Sequence, residues 1–219
     1  KKGVAKVRKK VQQAALELME TYAKREVTPG FSYPGDGEFS SEIDLSFPYT
    51  ETSDQIRAIR EIKQDMEAGI PMDRLLVGDV GFGKTEVALR AAIKAAEAGK
   101  QVAVLVPTTL LAQQHYETFL ARTGQLPIRI ETLCRFVPKK RQKEIVRQVA
   151  EGTIDILIGT HRLVQRDIRF KDLGLLIVDE EHRFGVLHKE HLKGLKTDVD
   201  ILMMSATPIP RTLFLSLGG

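Results

Sequence analysis

Asparagine and tryptophan are absent from this 219-residue chain, and cysteine occurs once, as Cys134. A single cysteine excludes an internal disulfide framework and points to a reducing compartment. Long apolar runs are missing too. The longest, such as 102-VAVLV-106, fall far short of the roughly 20 residues of a membrane helix. The basic start 1-KKGVAKVRKK-10 leads into no apolar stretch of the kind a signal peptide needs. Nor does one sign of charge dominate: 33 Lys and Arg against 29 Asp and Glu give a net +4. That balance permits a nucleic-acid partner without arguing for one, because a solvated basic face gives the same sum. What is present, 42% hydrophobic and 28% charged residues, excludes a disordered tail and suffices for one sizeable core. The chain begins with Lys rather than Met, so the expectation is a piece of a longer protein.

Residues 1–26 read as one amphipathic helix. Val4, Val7, Val11, Ala14 or Ala15, Leu18 and Tyr22 recur at spacings of three and four between polar residues, and such a stripe must dock on something. Residues 27–46 are rich in Gly, Pro and Ser without a sustained period and read as a linker. From Phe47 onward short β-rich runs start near residues 74, 101, 128, 154, 174 and 199. Helical patterns lie between most of them, clearest over 84–99, 109–121 and 139–152. The alternation predicts an α/β fold with a mostly parallel sheet covered on both faces, whose ligands sit at the carboxyl ends of the strands. The expected organisation is a helix and linker over 1–46 and one nucleotide-binding lobe over 47–219.

The residues after the first strand, 78-GDVGFGKT-85, fit G-x-x-x-x-G-K-[ST] between a strand and a helix. The glycines let backbone N–H groups turn towards phosphate oxygens, and the following helix adds its positive dipole end. Gly78, Asp79, Val80, Gly81, Phe82 and Gly83 form the loop and, with Glu86 at the start of the helix, are expected to contact the nucleotide. Lys84 is placed to reach the β and γ phosphates and Thr85 to offer a hydroxyl to Mg²⁺. A second element, 175-LLIVDEEH-182, ends an apolar strand in acids. Asp179 is expected to hold Mg²⁺ and Glu180 to orient and deprotonate the attacking water, with Glu181 solvated. Guanine-specific GTPases read their base with Asn-Lys-x-Asp; the absence of Asn excludes that motif here and favours ATP.

Further stretches follow in a telling order: 47-FPYTETSDQIRAI-59, the phosphate loop, 107-PTTLLAQQH-115, 159-GTHRLVQ-165, DEEH at 179–182 and 205-SATPIPRTL-213. In this order they resemble motifs Q, I, Ia, Ib, II and III of the superfamily 2 helicases and translocases. The resemblance implies a RecA-like first lobe, with motifs IV to VI and their arginine finger belonging to a second lobe. The runs MDRLLVGDVGFGKTEVA, VAVLVPTTLLAQQHYETF and LGLLIVDEEHRFGV are similar to the bacterial transcription-repair coupling factors, and the similarity spans nearly the whole chain. RecG-like branch-migration helicases share several elements, but that family usually has Ser where Phe82 stands and Gln where Glu181 stands.

The coupling-factor resemblance implies an ATP-driven motor on duplex DNA in the bacterial cytoplasm. Its RNA polymerase and excision-repair partners would bind through domains outside this chain, and the N-terminal helix would join the polymerase-binding domain to the motor. It further implies that Gln55 reads adenine and that Phe47 stacks on the base, a core position being the alternative for Phe47. Thr108 and Thr109 would contact a phosphate of the tracked strand, or simply cap a helix. Gly159, Thr160 and His161 would do likewise from the next strand end, a buried histidine being the alternative for His161. Arg135 and Phe136 would take a DNA or interlobe role. His182, Ser205 and Thr207 would couple the γ-phosphate state to those contacts.

Other features carry plainer readings. The basic run from Arg135 to Arg147 is a solvated helix face, Cys134 is core, and His188 and His191 lack the cysteines or acids of a zinc set. Two rivals stand beside the motor: a scaffold working through its N-terminal helix, and a small-molecule P-loop kinase. The DEEH and SATP elements argue against the kinase.

Overall fold

The computed structural model describes residues 28–124, 126–180 and 198–206; the helix expected over 1–26 lies outside them. Six strands form one sheet: β1 (Asp73–Val77), β2 (Gln101–Leu105), β3 (Ile130–Leu133), β4 (Ile156–Gly159), β5 (Leu173–Asp179) and β6 (Asp200–Ser205). Their order is β1-β6-β5-β2-β4-β3, and every neighbouring pair is parallel. The helices are α1 (Glu38–Leu45), α2 (Ser53–Glu67), α3 (Lys84–Glu97), α4 (Thr109–Thr123) and α5 (Lys139–Glu151), with a 3₁₀ turn over His161–Val164.

The central strands read as unbroken Val, Ile and Leu runs because both faces of the sheet are covered. Successive side chains serve opposite faces. Val102, Val104, Ile156, Ile158, Leu175 and Ile177 pack with Leu89 and Ile93 of α3 and Phe119 of α4. Their neighbours Ala103, Leu105, Leu157, Leu176 and Val178 pack with Ile145 and Val149 of α5 and with Leu163. The result is the three-layer α/β arrangement expected from the sequence.

The linker reading of 27–46 is corrected over its described part. Residues 38–45 form α1, and Tyr33 and Ile43 are buried in the same core as α3. No residue of α1 caps it. Instead Glu97, at the far end of α3, accepts hydrogen bonds from the Gly37, Phe39 and Ser40 backbone N–H groups and from the Ser40 hydroxyl, at 2.7–3.3 Å. Within eight residues only Phe39 and Ile43 carry the helical spacing, too few to register as a period. The lobe therefore begins upstream of residue 47.

Topology sets the working edge. In a parallel sheet all carboxyl ends lie together, and here β1, β6 and β5 are neighbours. The phosphate loop after β1, Ser205 at the end of β6 and Asp179 at the end of β5 thus emerge side by side. The residues following β2, β4 and β3 (Thr108, Gly159 to His161, Arg135 and Phe136) continue the same edge.

Candidate functional site

The phosphate loop has the backbone its glycines predict. Gly81 (φ +87°) and Gly83 (φ +75°) adopt the left-handed conformation that side chains disfavour, and Gly83 is the N-cap of α3. Gly78 N–H donates to the Ser205 carbonyl at 3.1 Å, fastening the loop to the end of β6. Lys84 Nζ donates to the carbonyls of Gly78 (2.5 Å) and Asp79 (2.9 Å), so its charge already lies over the loop. Thr85 is half-buried in the first turn of α3, while Val80 and Phe82 project into solvent.

Asp179 is the last residue of β5, its side chain 13% exposed. Glu180 follows with φ +53°, the one non-glycine residue of positive φ among those described, and its N–H donates to the Met204 carbonyl. A non-glycine residue in that conformation turns the chain sharply off the strand, and such strain concentrates at functional sites. Thr85, in the helix that follows β1, and Asp179, at the end of β5, offer hard oxygen donors on either side of β6, which suits Mg²⁺: that ion is usually held by one or two protein oxygens together with substrate phosphates. Among the described residues there is no group of three or more His, Cys, Asp or Glu that could hold an ion.

Gln55 sits against the loop. It is the third residue of a capping box, in which its Oε1 accepts from Thr52 N–H at 2.9 Å and its own N–H donates to the Thr52 hydroxyl. Its Nε2 donates to the Phe82 carbonyl at 3.0 Å, so close to Gly83 that a β-carbon there would overlap it. A side-chain amide can make four hydrogen bonds, and these two leave one N–H and one lone pair.

Phe47 and Glu86 lie together in a charged cluster. The guanidinium groups of Arg90 and Arg122 lie over the Phe47 ring at 5.2 and 5.4 Å, and Tyr49 meets it edge-on. Glu86 accepts from Arg90 Nε at 3.1 Å and from Arg122 at 2.8 and 3.0 Å, and Arg90 also pairs with Glu51. Arg122 additionally donates to the carbonyls of Ile43 and Ser46. Glu86 and Phe47 thus belong to a charged cluster that ties residues 43–51 to α3 and α4. The carboxylate of Glu86 is taken up there. The hydrogen bond from Arg90 holds the Glu51 carboxyl below the usual carboxylate range.

The rest of the edge is a mixed surface. Thr108 is exposed and caps α4, accepting from Leu111 N–H at 3.2 Å, which leaves its hydroxyl proton to donate; Thr109 opens the helix beside it. Arg135 and Phe136 are both exposed, with the guanidinium 5.1 Å from the ring centroid. His161 is exposed rather than a buried core histidine. Its neighbours are not surface groups: Thr160 is 3% exposed, and a β-carbon on Gly159 would strike the Leu133 carbonyl. Gly159 is therefore required by the close approach of β3, and the Thr160 hydroxyl is turned away from solvent. Ser205 is buried, and Cys134 is core as expected. His182, Thr207, Glu181, His188 and His191 lie outside the described residues.

Three partners of the site went unread in the sequence. Arg90 and Arg122 look like ordinary helix-surface charges. His115 lies in the quoted PTTLLAQQH stretch, and its only signal is that it shares a helix face with Ala112 and Phe119. In the fold its Nε2 meets Asp179 Oδ2 at 3.1 Å.

Comparison with known proteins agrees with this geometry. The chain is 55% identical over 214 residues to the transcription-repair-coupling factor of Mycobacterium bovis, covering 98% of this chain and 17% of that protein. Identity to the Escherichia coli and Bacillus subtilis coupling factors is 56% over 214 residues, covering 98% of this chain and 19% and 18% of theirs. It therefore spans under a fifth of the length of these curated relatives. A solved structure described as RecG bound to a three-way DNA junction superposes with a TM-score of 0.78 at 39% identity, covering 95% of this chain and 28% of that one. The RecA-like fold and the resemblance to coupling factors expected from the motifs are both borne out. Residues 52–214 match the DEAD/DEAH box helicase family, and with three quarters of its length inside that match the chain belongs to it.

Proposed function

We propose that this chain is the first, ATP-binding lobe of a motor that translocates on duplex DNA. In the longer protein this motor displaces stalled RNA polymerase and couples transcription to nucleotide-excision repair. The observation that carries the reading is the adjacency of β1, β6 and β5, which sets the phosphate loop, Ser205 and Asp179 side by side at one sheet edge. Identity of 55–56% to coupling factors, against 39% to RecG, favours that group over a branch-migration helicase.

In this mechanism the backbone N–H groups of 78–85 and the N-terminus of α3 bind the phosphates. Lys84 exchanges its loop carbonyls for phosphate oxygens, which are stronger acceptors. The amide of Gln55 keeps one donor and one acceptor, the pattern that pairs with adenine N7 and N6. Thr85 and Asp179 would hold Mg²⁺, which when bound neutralises charge on the β and γ phosphates. Glu180 orients the attacking water and takes its proton. Thr108, His161, Arg135 and Phe136 face the DNA strand, with Thr207, Ser205 and His182 relaying the nucleotide state. An arginine from a second lobe completes the site; in GTPases such an arginine contributes about 10³–10⁵ in rate.

The test is Mg·ATP hydrolysis by the folded chain with and without duplex DNA. Negligible turnover in both, with nucleotide binding abolished by Lys84→Ala, supports a half-motor awaiting its second lobe. Strong DNA-stimulated turnover would mean that two chains complete each other or that the second-lobe arginine is misassigned. Glu180→Gln should spare binding and stop residual hydrolysis; hydrolysis equal to the parent removes Glu180 as the base.

A further inference from the structure

His115 is a buried polar side chain that the mechanism above does not use. It lies on the inner face of α4 between Ala112 and Phe119, both fully buried, and its side chain is 6% exposed. Nε2 is 3.1 Å from Asp179 Oδ2. Nδ1 is enclosed and has no hydrogen-bond partner among the described residues. A carboxylate can only accept, so Nε2 carries the ring proton and donates it to Asp179. Packing alone does not account for this residue. A core position flanked by Ala and Phe would take Leu without an orphaned nitrogen, and an unpaired buried polar atom is costly. What His115 supplies is one directed N–H aimed at the carboxylate that ends β5.

We propose that His115 is the positioning residue for Asp179. Its Nε2–H fixes the rotation of the carboxyl group, occupying Oδ2 and leaving the remaining oxygen and lone pairs in one orientation for a nucleotide-bound Mg²⁺. A partner of this kind governs metal affinity through the ligand it orients rather than by touching the ion. Its placement adds a mechanical consequence. His115 stands seven residues along α4 from Thr108, roughly 10 Å at 1.5 Å per residue, and the helix between them is uninterrupted. A displacement of the helix start at the strand-facing edge is therefore carried to the group that holds Asp179.

The inference rests on the nucleotide-site reading, and the experiment separates the two. ADP binding by the 219-residue chain is measured calorimetrically in EDTA and with Mn²⁺, and bound Mn²⁺ is followed by electron paramagnetic resonance. His115→Leu keeps apolar volume and removes the donor; it should weaken Mn²⁺·ADP binding about tenfold while leaving metal-free ADP binding unchanged. His115→Gln, which restores an N–H at comparable reach, should stay within about threefold of the parent. Should the Leu variant fail to fold, His115→Asn, whose shorter amide falls short of Asp179, should show the same metal-selective loss. Parental Mn²⁺·ADP affinity in a folded Leu or Asn variant overturns the proposal, and so does equal weakening with and without metal. A parent chain that binds ADP under neither condition defeats the nucleotide-site reading itself, and this inference with it.

Discussion

On the β1–β6–β5 side of the sheet edge the side chains hold one another. Glu86, Arg90, Arg122 and Glu51 are joined by hydrogen bonds of 2.8–3.1 Å under the Phe47 ring, and the Arg90 side chain is only 6% exposed. Gln55 clasps the phosphate loop and His115 clasps Asp179. On the β2–β4–β3 side the groups facing outward, Thr108, Arg135, Phe136 and His161, project from well-packed strand ends, and in the Arg162–Asp167 pair that follows His161 the carboxylate is more than half exposed. The contrast suits the two tasks proposed for these sides. A triphosphate must be met by charges fixed in one geometry, because reorganising them during the reaction raises the barrier. A strand that is gripped and released is better met by exposed groups whose individual contributions are small.

The comparison breaks most sharply at Arg90. Removing a guanidinium so enclosed leaves Glu51 without its partner and Glu86 with Arg122 alone, and breaking a buried pair in this way costs about 3 kcal/mol. Arg90→Met should show that loss as a lower urea midpoint at unchanged slope; a loss below about 1 kcal/mol would mean the cluster does not brace the site.

Acid is a gentler probe of the same cluster. Arg90 holds Glu51 low, and Asp36 is held low by Lys63 and Lys94 although burial opposes it. A carboxyl whose folded value is depressed stabilises the fold when ionised, so the contribution is present above the unfolded pKa and lost as pH falls through the folded one. The melting temperature should be level from about pH 7 to 5 and drop below about pH 4. Asp167 is lowered by Arg162 on the other side, but its carboxylate is more than half exposed and the pair is screened. Arg90→Met should therefore flatten more of the acid slope than Arg162→Met, and the reverse order would undo the contrast. The smallest effect on the fold is expected at the strand-facing side: Arg135→Ala should leave stability within about 0.5 kcal/mol. In duplex binding it should lower affinity evenly across sequences and reduce the salt slope by about 1; a sequence-selective loss would show base reading instead.

How much could be read in advance follows the distance over which each feature is determined. The strands were legible because short runs rich in Val, Ile and Leu need no distant partner to stand out. The phosphate loop was legible because eight consecutive residues carry both its conformation and its charge. The exposure of His161 and the burial of Thr160, one residue apart, were not, since nothing in GTHR says which way each side chain leaves the strand end. Glu86 was read as a nucleotide contact by proximity to Lys84 and Thr85. Nothing in the sequence shows that its carboxylate pairs with Arg122, thirty-six residues downstream.

Local chemistry in the chain alone determined the alternation of strands and helices, the phosphate loop, the acidic strand end and the family they define. Helix α1 and the orientation of Asp179 were decided only on folding. The amide groups that begin α1 find their acceptor in Glu97, some sixty residues away, and Asp179 finds its donor in His115, sixty-four residues away. Both are hydrogen bonds, whose strength depends on angstrom-scale geometry, and that geometry exists only once α3, α4 and β5 are packed in one core.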